Sequence, residues 1–255
     1  MSERRPVALL GATGRMGRAI QAVLAASDDL TLAFRADRST GLQETGAELD
    51  AQLDPLVPGQ VAGILDFSSD EGTRHAAASA LRLGCPLVSG TTGLSEETFQ
   101  EMRAASASVA VCWAPNFSVG VPLVRSALAD AARSAPADWQ LEIAEIHHSG
   151  KKDAPSGTAL RFAQGWREVR GGRIVTGRQG AAGPRGADEI GVFAMRLGDV
   201  VGEHRILLGG RGETLEIVHR VQDRTAFAAG CVEALRRLLR KGPGWYEWDD
   251  LLLHP

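Results

Sequence analysis

The sequence predicts an α/β protein in which a doubly wound parallel sheet is joined to a second, α+β domain with an open mixed, mainly antiparallel sheet. Short apolar runs alternate with segments of helical period through residues 1–118, the pattern of strand–helix–strand units in a parallel sheet. Two of those runs end in glycine turns, Gly11-Ala12-Thr13-Gly14-Arg15-Met16-Gly17 and Gly90-Thr91-Thr92-Gly93. From residue 190 onward, alternating strands joined by short turns take over, as in a sheet built from hairpins.

Residues 7–10 form an apolar run of the buried-strand kind that leads straight into the first glycine turn, after which Ala19, Ile20, Val23 and Leu24 recur at helical spacing. Such a turn lets backbone N–H groups approach a pyrophosphate and sets it on a helix N-terminus. Gly11, Ala12, Thr13, Gly14, Arg15 and Met16 are therefore read as dinucleotide-binding, and the domain as Rossmann-like, although the spacing is G-x-x-G-x-x-G and not the commoner G-x-G-x-x-G. The strand at residues 30–34 ends at Arg35-Ala36-Asp37-Arg38, about two dozen residues after the first glycine, where a ribose-reading residue belongs. Asp37 suits the adenosine ribose of NAD, whereas Arg38 (or Arg35) suits the extra phosphate of NADP. The two argue in opposite directions, so both NADH and NADPH are expected as cofactors.

Residues 41–59 are polar and weakly patterned, a short helix or loop. Strands at 61–67 and 86–89 flank a helix at 71–83, and the second of them runs into Gly90-Thr91-Thr92. Ser95 caps a helix that runs to residue 106, with Glu96 and Glu97 in its first turn. The strand at 109–112 ends at Ala114-Pro115-Asn116-Phe117-Ser118. These strand ends share the edge at which parallel sheets bind ligands. An amphipathic helix at 121–133 leads away from the first domain.

Residues 141–146 alternate apolar and polar, a half-buried strand that delivers His147 and His148 to its end on opposite sides. Asp153-Ala154-Pro155-Ser156-Gly157-Thr158 then opens a helix continuing through 159–169. A helix entry offers N–H groups and partial positive charge, so Ser156, Gly157 and Thr158 are expected to receive a carboxylate, and Lys151 and Lys152 add full positive charge beside them. An imidazole with an unperturbed pKa of ~6.5 exchanges protons near neutrality. The stretch thus reads as a carboxylate-sized anion pocket with a histidine acid/base at its rim. Gly-rich connections at 171–186 precede strands at 190–197, 205–208 and 214–220. A final helix at 225–240 returns to the first domain, and Trp245 and Trp248 serve packing or an interface. The boundaries predicted are 1–118 plus 224–255 for the dinucleotide-binding domain and 119–223 for the substrate-binding and oligomerisation domain.

The stretch Glu145-Ile-His147-His148-Ser-Gly-Lys151-Lys-Asp153-Ala-Pro155-Ser156-Gly157-Thr158-Ala159 matches every fixed position of the pattern E-x-H-H-x-x-K-x-D-A-P-S-G-T-A, and the chain resembles the 4-hydroxy-tetrahydrodipicolinate reductase (dihydrodipicolinate reductase) family. The resemblance extends to G-x-x-G-R-M-G, D-F-S, G-T-T-G, A-x-N-F-S-x-G-V and the motifs around Gly198–Glu203 and Gly212–Arg220. It implies NADH- or NADPH-dependent reduction of (2S,4S)-4-hydroxy-2,3,4,5-tetrahydrodipicolinate to (S)-2,3,4,5-tetrahydrodipicolinate with loss of water, in diaminopimelate and lysine biosynthesis. His147 and Lys151 are implied to be catalytic, and His148, Lys151, Ser156, Gly157 and Thr158 to bind substrate. Gly11 to Met16 and Asp37 are implied to hold the dinucleotide, with Gly90, Thr91, Thr92, Ala114, Pro115, Asn116 and Phe117 beside its nicotinamide half. A homotetramer assembled through the second-domain sheet is implied as well. Two positions depart from the pattern: Pro122 follows Gly120-Val121 where the family has Asn, and Ser69 follows D-F-S where a basic residue is usual. Glu203, His204 and His219 are read as mostly structural, with a direct catalytic part left open.

Composition fits a cytoplasmic enzyme. Hydrophobic residues at 44% and charged residues at 23% are ordinary for a globular chain, and a net charge of -3 gives no cause to expect nucleic acid or an anionic membrane as partner. No apolar run approaches the ~18 residues of a membrane span. Cys85, Cys112 and Cys231 are scattered among apolar or small neighbours, as buried free thiols would be, and no metal site is read. Two rivals stand beside this reading: a dehydrogenase of similar build acting on another small acid, one version of which needs a catalytic cysteine, and a nucleotide-sensing protein without catalysis.

Overall fold

The computed structural model describes residues 4–37, 53 and 56–254, so Arg38 and most of the polar segment after it lie outside the described residues. The chain divides into two compact units, Met1–Val119 with Arg224–Pro255, and Gly120–Asp223. In chain order the first unit supplies β1 (Arg5–Leu10), α1 (Arg15–Ala25), β2 (Leu30–Ala36), β3 (Gly63–Asp66), α2 (Asp70–Leu83), β4 (Leu87–Ser89), α3 (Glu96–Ser106) and β5 (Ala110–Trp113). The second follows with α4 (Gly120–Ser134), β6 (Gln140–His147), α5 (Gly157–Arg170), β7 (Arg173–Val175), β8 (Glu189–Arg196), β9 (Gly202–Gly210) and β10 (Glu213–Val221). The first is completed by α6 (Thr225–Leu238), β11 (Gly244–Tyr246) and α7 (Trp248–Leu253).

The first unit's sheet has the order β11-β5-β4-β3-β1-β2, with every neighbouring pair parallel. Strands buried on both faces explain the near-continuous apolar runs. Val7 and Leu9 of β1 pack with Ile20, Leu24 and Leu235 on one side, while Ala8 and Leu10 pack with Ala76, Ala80 and Met102 on the other. Chain direction across the sheet reverses at β1, whose neighbours are β2 and β3. The C-terminal ends of β1 and β3 therefore form the switch-point crevice at which such sheets take ligands. Ser69 and Ser95 cap α2 and α3 by accepting from the N–H groups of Gly72 and Thr98. Ser69, where the family pattern has a basic residue, thus has a structural task. The three-residue β11 pairs in parallel with β5, an edge strand too short to leave a periodic signal in the sequence.

In the second unit the order is β10-β9-β6-β8-β7, and its pairings divide evenly. β10–β9 and β9–β6 are antiparallel, whereas β6–β8 and β8–β7 are parallel because α5 carries the chain across to the far edge. The sheet is mixed, with its antiparallel character confined to the hairpin side. Leu141, Ile143, Val192, Ile206 and Leu208 face Val124 and Leu128 of α4 and Phe162 and Trp166 of α5 in one core. Pro122 lies buried in the first turn of α4, where a missing N–H costs nothing. The register puts Ala144, Ile146, Phe193, Met195, Leu207 and Val218 on the opposite face, which neither helix covers.

Candidate active site

The first glycine turn is a cradle that side chains would fill. Gly11 has φ 75°, and a Cβ there would stand 2.1 Å from the Phe67 carbonyl oxygen. One on Gly17 would stand 2.2 Å from the carbonyl of Gly11. Gly14 occupies the N-cap of α1, with no side-chain cap and no acidic residue in the first turn. Its N-terminal N–H groups and partial positive charge are therefore left for a phosphate, and the residues fit a dinucleotide pyrophosphate. Asp37, just past β2, accepts from the N–H of Thr13 at 2.8 Å and from its hydroxyl, which ties the position expected to read a ribose to the turn.

At the neighbouring strand ends the geometry redistributes the expected contacts. Asp66 is fully buried and accepts from the hydroxyls of Thr73 (2.6 Å), Ser89 (2.7 Å), Thr91 (2.9 Å) and Ser68. Thr91 also accepts from the Ser68 N–H through its hydroxyl and from the Trp113 indole through its carbonyl. The Phe67 ring occupies the place of a side chain on Gly90, and Phe117, 1% exposed, packs against Phe67 and Trp248 at 6.1 and 5.8 Å between centroids. The side chains of Thr91 and Phe117 are committed to the fold, so any part they take in cofactor binding falls to their backbone. Thr92 and Pro115 are exposed, Gly90 and Asn116 half-buried and Ala114 buried.

In the second unit, β-sheet register gathers the titratable groups on the helix-covered face. His219, His204 and Glu145 lie in one row across β10, β9 and β6, and Arg196 of β8 stands opposite His147. Glu145 is fully buried. Its Oε2 lies 2.6 Å from His147 Nδ1, its Oε1 accepts from the Ser156 N–H at 3.0 Å, and Arg196 donates to both oxygens at 3.0–3.1 Å. Arg196 also donates to the carbonyls of Met195 and Asp153. His204 is nearly enclosed: Nε2 lies 3.3 Å from Ser156 Oγ, Nδ1 lies 3.4 Å from His219 Nδ1, and its ring packs edge-on to His147 and Phe162. Burial, then the positive charge of His147, His219 and Lys151, pushes its pKa down to about 3, so it is neutral near pH 7. Burial lowers His219 too.

Lys151 forms a turn with His148 and pairs with Asp153 at 2.8 Å, which lowers the Asp153 pKa. After the cis Ala154–Pro155 peptide, Ser156 caps α5 by accepting from the Ala159 N–H at 3.2 Å. The Ser156 N–H, expected to face substrate, donates to Glu145, and its hydroxyl serves the cap and lies beside His204. Gly157 is exposed, with nothing within 4 Å of the place a Cβ would take, and Thr158 is half-buried beside it. His147, Lys151, Ser156, Gly157 and Thr158 thus share one span, whereas His148, beyond the strand end, lies beside Gly150.

Sequence reasoning left Glu145 and Arg196 without roles and read His204 as mostly structural. The signal for Glu145 was present, since it stands two residues before His147 on an alternating strand and must share its face. The three cysteines are buried and free, and burial pushes the Cys85 thiol up to about 12 and raises those of Cys112 and Cys231 as well. Burial and raised pKa both disfavour the thiolate that a cysteine nucleophile requires. Among the described residues no helix is long and apolar enough to cross a membrane, and no cluster of three or more His, Cys, Asp or Glu could hold a metal.

Two family models match the chain: dihydrodipicolinate reductase, N-terminus, over residues 5–117, and dihydrodipicolinate reductase, C-terminus, over residues 120–252. The 4-hydroxy-tetrahydrodipicolinate reductase of Oleidesulfovibrio alaskensis is 38% identical, with 96% of this chain and 98% of that protein covered. That of Nitrosomonas europaea is 37% identical, with 96% and 97% covered. Among solved structures, dipicolinate-bound dihydrodipicolinate reductase from a Paenisporosarcina species superposes with a TM-score of 0.80 at 24% identity, covering 96% of this chain and 98% of that one.

Proposed function

The chain belongs to the dihydrodipicolinate reductase family, and from that premise we propose how its residues carry the family's reaction. It is an oxidoreductase that uses NADH or NADPH to reduce 4-hydroxy-tetrahydrodipicolinate, with loss of water, in diaminopimelate and lysine biosynthesis. The observation that carries the residue assignment is the convergence, within one span of the second unit, of an anchored imidazole, a lysine ammonium and an open helix start.

The substrate is a cyclic imine with two carboxylates. Gly157 and Thr158 at the start of α5 receive one carboxylate through their N–H groups, and Lys151 exchanges Asp153 for it in a charge-assisted contact. His148 orients the same group. Fixing the ring in this way replaces a diffusional encounter with a set geometry. The reduced nicotinamide, when bound, supplies a hydride to C4. His147 gives a proton to the departing hydroxyl, so that hydride and proton together balance the loss of water, and Lys151 shares in the proton supply. In the first unit, the backbone of Gly11 to Met16 holds the pyrophosphate and Asp37 the adenosine ribose. Arg38 reads the NADP phosphate, and the Gly90–Thr92 and Ala114–Phe117 segments border the nicotinamide.

The same reading extends to assembly and location. The uncovered sheet face, with Met195 at 44% and Val218 at 45% exposure, is the surface through which a homotetramer forms, and the enzyme works in the cytoplasm. The test of the chemistry is steady-state turnover followed by loss of nicotinamide absorbance, with substrate generated in place from pyruvate and aspartate semialdehyde. His147→Gln lowers kcat by about 10²-fold to 10⁴-fold, the usual contribution of a positioned acid. Full turnover in that variant would remove His147 from the mechanism.

A further inference from the structure

Proton delivery needs an imidazole held in one orientation, and behind His147 stands more buried charge than the mechanism has used. Resting on the assignment of His147 as the proton donor, we propose that Glu145 is the positioning residue of this reaction. One buried carboxylate, neutralised by Arg196, joins the acid to the carboxylate-binding start of α5.

Each Glu145 oxygen carries a different part of the site. Oε2 meets His147 Nδ1 at 2.6 Å, and Oε1 takes the N–H of Ser156, the residue that caps α5, at 3.0 Å. The other partners of the carboxylate, two guanidinium nitrogens of Arg196 and a backbone amide, are obligate donors, so the carboxylate acts as acceptor and Nδ1 donates to it. That leaves Nε2 as the nitrogen offered to the reaction. Room for it comes from Gly202 on β9, where a Cβ would stand 3.1 Å from Nε2. A buried ion pair adds little net stability compared with well-packed apolar side chains, so stability alone does not account for Glu145 and Arg196. The charged or titratable groups that face the imidazole are Glu145 on its own strand, Arg196 on β8 and His204 on β9, while Lys151 in the following loop acts on His204.

Glu145→Gln in the full-length protein separates positioning from folding. Glutamine keeps the shape and one oxygen for the Ser156 N–H, but it offers an amide N–H to Nδ1, which must then accept, and the protonated imidazole loses its support. The expected result is a kcat lower by about 10²-fold, KM within about threefold, and the alkaline limb of the kcat–pH profile moved to lower pH. A kcat within about twofold of the parent with an unmoved limb overturns the proposal. The unaltered protein gives a second readout in case the variant does not fold. A downfield imidazole N–H proton resonance, present in the parent and lost in His147→Gln, supports the Glu145–His147 bond, and its absence from the parent at low temperature overturns it. If His147→Gln itself retains turnover, the assignment of the acid falls; if only Glu145→Gln does, the acid stands and the positioning role falls.

Discussion

Two glycines show how the same residue type serves opposite ends. Gly11 is required by the protein: its φ is in the left-handed region and the Phe67 carbonyl fills the space a methyl would need. Gly11→Ala is expected to cost at least about 2 kcal/mol from strain and overlap together, read as a lower thermal midpoint by roughly 5 °C or more. Gly157, in the function proposed above, is required by the ligand. Nothing of the protein lies near its missing side chain, and it opens α5 in a conformation that alanine adopts. Gly157→Ala should leave the thermal midpoint unchanged or slightly higher, yet raise KM for the dicarboxylate by about tenfold, the equivalent of one weakened charge-assisted hydrogen bond. A KM that stayed at the parent value would take this helix start out of the substrate site. At this scale the sequence was only partly legible. It showed the helix start at Ser156 but not that the Ser156 N–H is taken, because the acceptor, Glu145, reaches it from another element, and Arg196 lies 51 residues from the carboxylate it neutralises.

At the scale of elements, β9 has the most consequential position, since it holds His204 between β6 and β10. The folded-state pKa of His204, about 3, lies below its ordinary 6.5. An unfolded chain therefore binds a proton below about 6.5 that the folded chain refuses until about 3, and stability is lost as pH falls through that window. The slope should approach 1.4 kcal/mol per pH unit, roughly one proton's worth, in urea midpoints measured as pH falls below 6.5. His204→Gln should flatten the upper part of that window. Near its lower end, Glu203 adds to the loss. Its pKa is held at about 2 by Arg220 and Arg205, below the ordinary 4.5, so its stabilising contribution disappears as pH falls from about 4.5. Helices were the more legible elements: the Ser95 cap, the acidic first turn of α3 and the helical spacing of α1 all lie in local sequence. β7 and β11 were not legible, because three residues establish no period and only a neighbouring strand makes them strands.

For the molecule as a whole, the doubly wound character of the first unit was legible because strands buried on both faces must be apolar throughout. The even division of parallel and antiparallel pairs in the second was not, since alternation along a strand says which face is buried and nothing of a neighbour's direction. That second sheet sets the remaining expectation. Its uncovered face mixes Ile146, Met195, Leu207 and Val218 with Glu142, Glu203 and Arg205, a surface suited to burial against copies of itself. Light scattering should give four times the 27.0 kDa chain mass, and Val218→Glu with Met195→Glu should reduce it. A monomeric parent protein would end the tetramer reading. The three thiols, all interior, carry a practical corollary. Maleimides and other thiol-directed reagents require exposed thiolate, which the folded chain lacks. One cysteine introduced at an exposed site such as Gln100 on α3 would accept a fluorophore alone, giving a background-free optical reporter of ligand binding with every native residue but one in place.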